Sequence, residues 1–161
     1  MRPEHLEEMD SALSRWQGKA NVLDVGSLDV NGTFRPLVEH RGWQYTGLDL
    51  TEGPNVDVVS GDPYRYPFES RAFDVVISGS VMEHVQAIWI WMPELVRLLR
   101  KGGLLAIITH TQWKYHPHPF DCWRIMPDGM GYLFDLDGRL RDYDIRMFNE
   151  HDIIGAAWRR S

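Results

Sequence analysis

Apolar positions along the chain fall into three patterns. Across residues 4–16, Leu6, Met9, Leu13 and Trp16 recur at spacings of three and four, the inward stripe of an amphipathic helix that Gly18 ends. Short, nearly continuous apolar runs follow at residues 21–26, 44–49, 56–59, 73–78 and 104–109, and each predicts a strand buried on both faces. Helices are predicted over residues 33–40 and 126–134, the second with Pro127 in its first turn, and a long helical region over 82–100, interrupted near Pro93 and stopped by Gly102-Gly103. Polar and apolar residues then alternate over 143–148, and residues 153–158 follow a polar turn, so the last pair predicts an antiparallel hairpin. The connection between 44–49 and 56–59 is too short for a crossover helix. Either a tight loop joins two parallel strands there or one of the two segments is not a strand.

Five strands with interleaved helices, ending in a hairpin, predict a single doubly wound α/β domain over residues 1–161, with a mostly parallel seven-stranded sheet. Composition changes this picture little. The chain has 161 residues, 43% of them hydrophobic, which suits one globular domain and excludes disordered and collagen-like classes. No apolar stretch approaches the roughly 20 residues of a membrane span, and residues 1–4 begin no secretory signal, so a cytoplasmic location is expected. A single cysteine, Cys122, forms no internal disulfide and leaves only a minor redox role. The net charge of −6 and the scattered arginines argue against general nucleic-acid binding, which depends on neutralising phosphates. Oligomeric state stays open, with a homodimer compatible with the seven tryptophans.

In a doubly wound sheet, ligands bind at the carboxyl ends of the strands. Gly26 closes the first strand and lets a ligand approach the backbone. The following loop, Gly26-Ser27-Leu28-Asp29-Val30-Asn31-Gly32, carries Leu28 where a dinucleotide fingerprint has its middle glycine, and it lacks the Gly-Lys-Ser/Thr of a nucleotide triphosphate loop. Asp29 in that loop repels a pyrophosphate, so a cationic ligand without phosphate fits better, and a nicotinamide dehydrogenase ranks third among the readings. Asp49 ends the second strand 23 residues after Gly26, where a carboxylate accepts hydrogen bonds from a ribose diol. Asp62, in Ser60-Gly61-Asp62-Pro63, follows the next strand and is placed to accept from an adenine amino group. Each aspartate taken alone also fits a turn or a helix cap.

In this order, Val22-Leu23-Asp24-Val25-Gly26, Gly47-Leu48-Asp49, Gly61-Asp62, Phe73-Asp74-Val75-Val76-Ile77-Ser78 and Leu98-Leu99-Arg100-Lys101-Gly102-Gly103 resemble class I S-adenosylmethionine-dependent methyltransferases over nearly the whole chain. Ser80-Val81-Met82-Glu83-His84-Val85 resembles the small single-domain group acting on metabolites and glycans. The resemblance implies a Rossmann-like domain with an N-terminal helix (1–18), a cofactor-binding half (21–109), and an acceptor loop with the C-terminal hairpin (110–161). It implies that Gly26 and Ser27 border the methionine portion of S-adenosylmethionine, Asp24 its ammonium, Asp49 and Leu50 the ribose and Asp62 the adenine, with Ser78, Gly79 and Ser80 alongside. The implied product is S-adenosylhomocysteine.

Residues 110–124 follow the fifth strand and concentrate histidine, aromatic and proline residues without periodicity, a candidate acceptor wall with His110, Trp113, Tyr115, Trp123 and Arg124 as substrate contacts. His116 is the expected general base, because an imidazole titrates near pH 6.5, and Asp121 is expected either to orient it or to recognise a polar acceptor. Equally, His116, Asp121 and Arg124 suit a structural brace with Trp123 in the core. His116, His118, Asp121 and Cys122 are metal-ligand types, but their spacing matches no structural zinc pattern, and no metal is expected. His84 suits either a place beside the cofactor or a helix cap. The leading expectation is methyl transfer to an oxygen or nitrogen of a small metabolite or glycan; the alternative is a cofactor-binding partner subunit without catalysis of its own.

Overall fold

The computed structural model describes residues 2–161; Met1 lies outside the described residues. Twelve elements alternate as predicted for a doubly wound domain. In chain order they are α1 (Pro3–Leu13), β1 (Asn21–Val25), α2 (Arg35–Glu39), β2 (Gln44–Asp49), β3 (Val58–Val59), β4 (Phe73–Gly79), a 3-10 turn (Met82–His84), α3 (Ile88–Leu98), β5 (Leu99–His110), α4 (Pro127–Asp137), β6 (Leu140–Met147) and β7 (Asp152–Arg159). The seven strands form one sheet in the order β3-β2-β1-β4-β5-β7-β6. The first five are parallel, and β7 pairs antiparallel with both β5 and β6, as the hairpin pattern predicts. Among the described residues no helix is long and apolar enough to cross a membrane.

The double-sided core follows from the period of two along each strand. Val22, Val75, Ile77, Leu104, Ala106 and Ile154 point to one face, where Met9 and Leu13 of α1 and Val38 of α2 cover them. Their alternates, Leu23, Val25, Val76, Leu105, Ile107 and Ile153, point to the other face and pack under Trp91 and Leu95 of α3 and Phe134 of α4. The sheet is thus the middle of three layers, and its polar functional groups are left to the strand ends.

Three expectations need correction. The region over 82–100 is not one long helix: a 3-10 turn is followed by extended Val85, and α3 begins only at Ile88, with Pro93 inside it. Gly102-Gly103 does not stop this helix, which ends at Leu98; the pair lies within β5, where Gly102 has φ +71° and a Cβ on Gly103 would meet Asp74 O at 2.9 Å. The register between β4 and β5 shifts at the same place. Residues 56–59 shrink to the two-residue β3, joined to β2 by a tight loop, which resolves the connection that was too short for a helix.

Candidate functional site

Strand order reverses at β1, since the chain moves outward through β2 and β3 and then returns to β4 on the other side. Such a switch point opens a crevice at the carboxyl ends of the strands. A cleft of about 840 Å³ lies there, lined from Asp24, Gly26 and Asp49 at one end to His84, His110 and His116 at the other. That volume is within the roughly 300–1,000 Å³ of small-molecule sites.

At the first end the backbone does most of the shaping. Gly26 has φ +80°, and a Cβ there would meet Val81 Cγ2 at 2.0 Å, so only glycine fits between the loop and the turn after β4. The Gly26 and Ser27 amides donate to Leu48 O at 2.8 and 3.0 Å. Asp49 Oδ2 accepts from Leu28 N at 3.0 Å, while Oδ1 accepts from Leu50 N at 2.7 Å and Thr51 N at 3.2 Å. These bonds fix the carboxylate plane on the cleft wall, and a carboxylate has about four acceptor sites, so it retains capacity for a ligand. Asp29 does not face a ligand with its Oδ1, which caps its own loop by accepting from Gly32 N at 2.7 Å.

Asp24 is buried on the cleft wall, and burial pushes its carboxyl up to about 7 against a hydrogen bond from Tyr45 that favours the charged form. Tyr45 donates to Asp24 Oδ2 at 2.6 Å and accepts from Asn55 Nδ2 at 2.8 Å, and Arg35 holds Asn55 Oδ1 at 2.6 Å. A cation placed beside this carboxyl would favour its charged form. Apart from Arg2, which is ion-paired to Asp152, the lining contains no lysine or arginine.

The other end gathers side chains from remote segments. Thr109 donates to Glu83 Oε2 at 2.8 Å, fully burying a carboxylate at the 3-10 turn. Asp152, at the start of β7, accepts from His110 Nδ1 at 2.7 Å, His5 Nε2 at 3.0 Å and Asn149 Nδ2 at 2.7 Å, and pairs with Arg2. Burial raises the Asp152 carboxyl, but the bonds from Asn149, His5 and His110 outweigh it and hold it below the usual range. Burial in turn lowers His5. Trp113 stacks on His110 with ring centroids 5.3 Å apart, and Arg2 lies 5.0 Å from the Trp113 ring centre.

The sequence-predicted residues divide accordingly. Asp24, Gly26, Ser27, Asp49, Leu50, Gly79 and Ser80 line the cleft, as do His110, Trp113 and His116. His84, left between two roles by the sequence, lines it too. Asp62, Ser78, Tyr115, Asp121, Trp123 and Arg124 are not brought to its wall. Asp62 accepts from Tyr64 N at 2.7 Å in a turn, leaving Pro63 and Tyr64 as the neighbouring wall residues. Ser78 is fully buried and donates to Val25 O at 2.7 Å, tying β4 to β1. Asp121 accepts from both Arg124 and the His116 amide, and Arg124 holds its carboxyl well below the usual range. Arg124 also donates to Trp113 O and Lys114 O, so the bracing arrangement describes these two residues, while His116 itself reaches the cleft. Trp123 packs against the core and donates to Val85 O at 2.7 Å, and Tyr115 is exposed.

Arg2, His5, Glu83 and Asp152 were missed. A helical stripe shifted by one position, through His5, Met9 and Ala12, would have turned His5 inward; nothing in the local pattern marks Asp152 or Glu83.

The methyltransferase domain family matches residues 23–107, more than half of the chain, so the chain belongs to that family. Within it, the fold is that of the class I S-adenosylmethionine-dependent methyltransferases. An uncharacterized methyltransferase of Mycobacterium sp. strain KMS is 33% identical over 105 residues, 60% of this chain and 40% of that protein. A demethylmenaquinone methyltransferase of Listeria welshimeri is 30% identical over 116 residues, 62% of this chain and 49% of that protein. The chain therefore spans less than half the length of these curated relatives. In fold, it resembles the Burkholderia thailandensis 1,6-didemethyltoxoflavin-N1-methyltransferase, solved with its acceptor and S-adenosylhomocysteine, with a TM-score of 0.76 at 16% identity over 97% of this chain and 78% of that one.

Proposed function

We propose that this protein transfers a methyl group from S-adenosylmethionine to an oxygen or nitrogen of a small metabolite or glycan. The observation that carries this reading is the polarity of the cleft: fixed carboxylates and a glycine cradle at one end, imidazoles and an indole at the other. The carboxylate end fits a ligand bearing an ammonium, a sulfonium and a ribose diol but no phosphate. Bound there, S-adenosylmethionine supplies an activated methyl group, so the protein needs no covalent nucleophile of its own. Asp49 holds the ribose hydroxyls, Asp24 faces the ammonium, and Gly26 and Ser27 admit the methionine chain. At the other end Trp113 and the imidazoles of His110 and His116 receive the acceptor, with Asp121 holding the His116 backbone in place. Two proteins that this chain resembles are named for a demethylmenaquinone and a didemethyltoxoflavin, which supports an acceptor that is not a macromolecule.

Calorimetric titration with S-adenosylmethionine and S-adenosylhomocysteine tests the donor half of this reading. The intact protein binds both, and Asp49→Ala loses binding. Turnover of a panel of hydroxyl- and amine-bearing metabolites and sugars then tests the acceptor half. Donor binding without turnover of any acceptor would favour a partner subunit, and no donor binding would overturn the reading altogether.

A further inference from the structure

The 3-10 turn after β4 and the loop after β5 bring Glu83, His84 and His116 together, each offering one ligand atom within 4.8 Å of the others. We propose that these three side chains bind a divalent transition-metal ion at the acceptor end of the cleft. The sequence spacing alone points to no metal here.

The first argument is the carboxylate. Glu83 is fully buried, and its Oε2 accepts from Thr109. Its Oε1 has no hydrogen-bond partner. Two imidazole nitrogens stand beside that oxygen, His110 Nε2 at 3.3 Å and His84 Nε2 at 3.9 Å. A buried carboxylate oxygen with no donor is costly, and a cation relieves that cost.

The second argument is the tautomer of each imidazole. His84 Nδ1 lies 2.6 Å from Phe120 O, and His116 Nδ1 lies 2.9 Å from Lys114 O and 3.2 Å from Asp121 Oδ2. Carbonyl and carboxylate oxygens only accept, so Nδ1 carries the proton in both rings. Nε2 is then the lone-pair nitrogen in each neutral ring, with the outer oxygens fixing ring orientation as they do around metal-bound histidines. His84 and His116 meet edge to face, with centroids 4.9 Å apart.

Two imidazoles and one carboxylate suit zinc, iron(II), cobalt or manganese rather than calcium or magnesium. Metal–ligand bonds of about 2.1 Å place ligand atoms about 3 Å apart, so the set closes by an ångström or two on binding. Glu83 is anchored by Thr109, whereas His116 sits in the acceptor loop and supplies the movement. His84 and His116 both line the cleft, so an ion held by them would be open to it. There an acceptor hydroxyl binds through oxygen, gives its proton to solvent water and keeps the electron pair, which makes it a better nucleophile at neutral pH. This last step rests on the acceptor reading above; the metal site itself does not.

The test is titration of untagged, EDTA-stripped protein with Zn²⁺ by calorimetry and with Co²⁺ by visible absorption, without donor or acceptor. Expected is one equivalent bound with micromolar or tighter affinity and cobalt bands of a nitrogen- and oxygen-ligated ion. His84→Ala and His116→Ala weaken binding at least about 10-fold, and His118→Ala leaves it unchanged. Because both ligand histidines are partly exposed, their variants are expected to fold, and thermal melting of each checks this. Absence of binding by the intact protein overturns the proposal, as does stoichiometric binding unaffected in whichever ligand variant is folded. S-adenosylmethionine titration of the stripped protein, run alongside, separates the two readings: donor binding without metal binding defeats only the metal, and the reverse defeats only the donor.

Discussion

The two ends of the cleft are built by different means. The carboxylate end is made by loops that immediately follow β1 and β2, and its shape is set by backbone: a left-handed glycine, amides on Leu48 O and amides on Asp49. The histidine end is made by side chains from α1, the 3-10 turn, the loop after β5 and the start of β7, clasped through two buried carboxylates, Glu83 and Asp152. Backbone shaping tolerates changes of side chain except at the glycine and at Asp49, which accepts three loop amides, whereas a side-chain clasp fails when any one carboxylate is lost.

The largest effect is therefore expected at Asp152. Asp152→Ala leaves Arg2, His5 and His110 without their buried partner and costs about 3–5 kcal/mol, read by urea denaturation. A loss below about 1 kcal/mol would mean that the clasp is ornamental. Gly26→Ala follows, because the new Cβ meets Val81 and the backbone stays in a left-handed region. About 2–3 kcal/mol of stability and most of the donor affinity are expected to go. Retained affinity would show that the turn after β4 yields.

Asp24→Asn separates binding from stability. The folded carboxyl is raised to about 7, above its ordinary value of about 3.9, so the folded state holds its proton longer and stability falls as pH rises from about 4 to about 7. Asparagine removes that penalty. The variant is expected to gain roughly 1–3 kcal/mol over the parent at pH 8 and nothing at pH 4, while its donor affinity falls about tenfold. A variant less stable at pH 8 would put Asp24 in a favourable ionised state and reverse the argument. The smallest effect is expected at Asp62→Ala, which loses one turn bond at an exposed site, within about 0.5 kcal/mol, and leaves donor affinity unchanged. A tenfold loss of affinity there would return Asp62 to the adenine contact that the resemblance implies.

What could be read from the sequence follows the same division. β1, β4 and β5 were legible because fully buried strands are continuous apolar runs, and the Gly26–Asp49 pair because a strand-end glycine and the next strand-end carboxylate have a regular spacing. The region over 82–100 was misread because its apolar density suits a helix throughout, while Val85 and the glycine pair bend the chain for reasons of packing. Asp62 was read as ligand-facing because an aspartate in a loop looks the same whether it caps a turn or binds a substrate, whereas Asp121 holds the His116 amide, as an orienting partner would. The clasp was invisible, since His5 and Asp152 stand 147 positions apart and neither breaks its local pattern.

That separation has a consequence for how the protein is made. β7 inserts between β5 and β6 and carries Asp152 at its first residue, and the bonds of that side chain to Arg2 and His5 close the longest loops among the described residues, 150 and 147 positions. On a ribosome, the carboxylate end has all its residues available once β4 and the following turn have emerged, but the histidine end waits for a segment synthesised almost last. A chain interrupted before residue 152 keeps His110, Trp113 and His116 but lacks the carboxylate that anchors His110, so it is expected to present the acceptor with an unbraced wall.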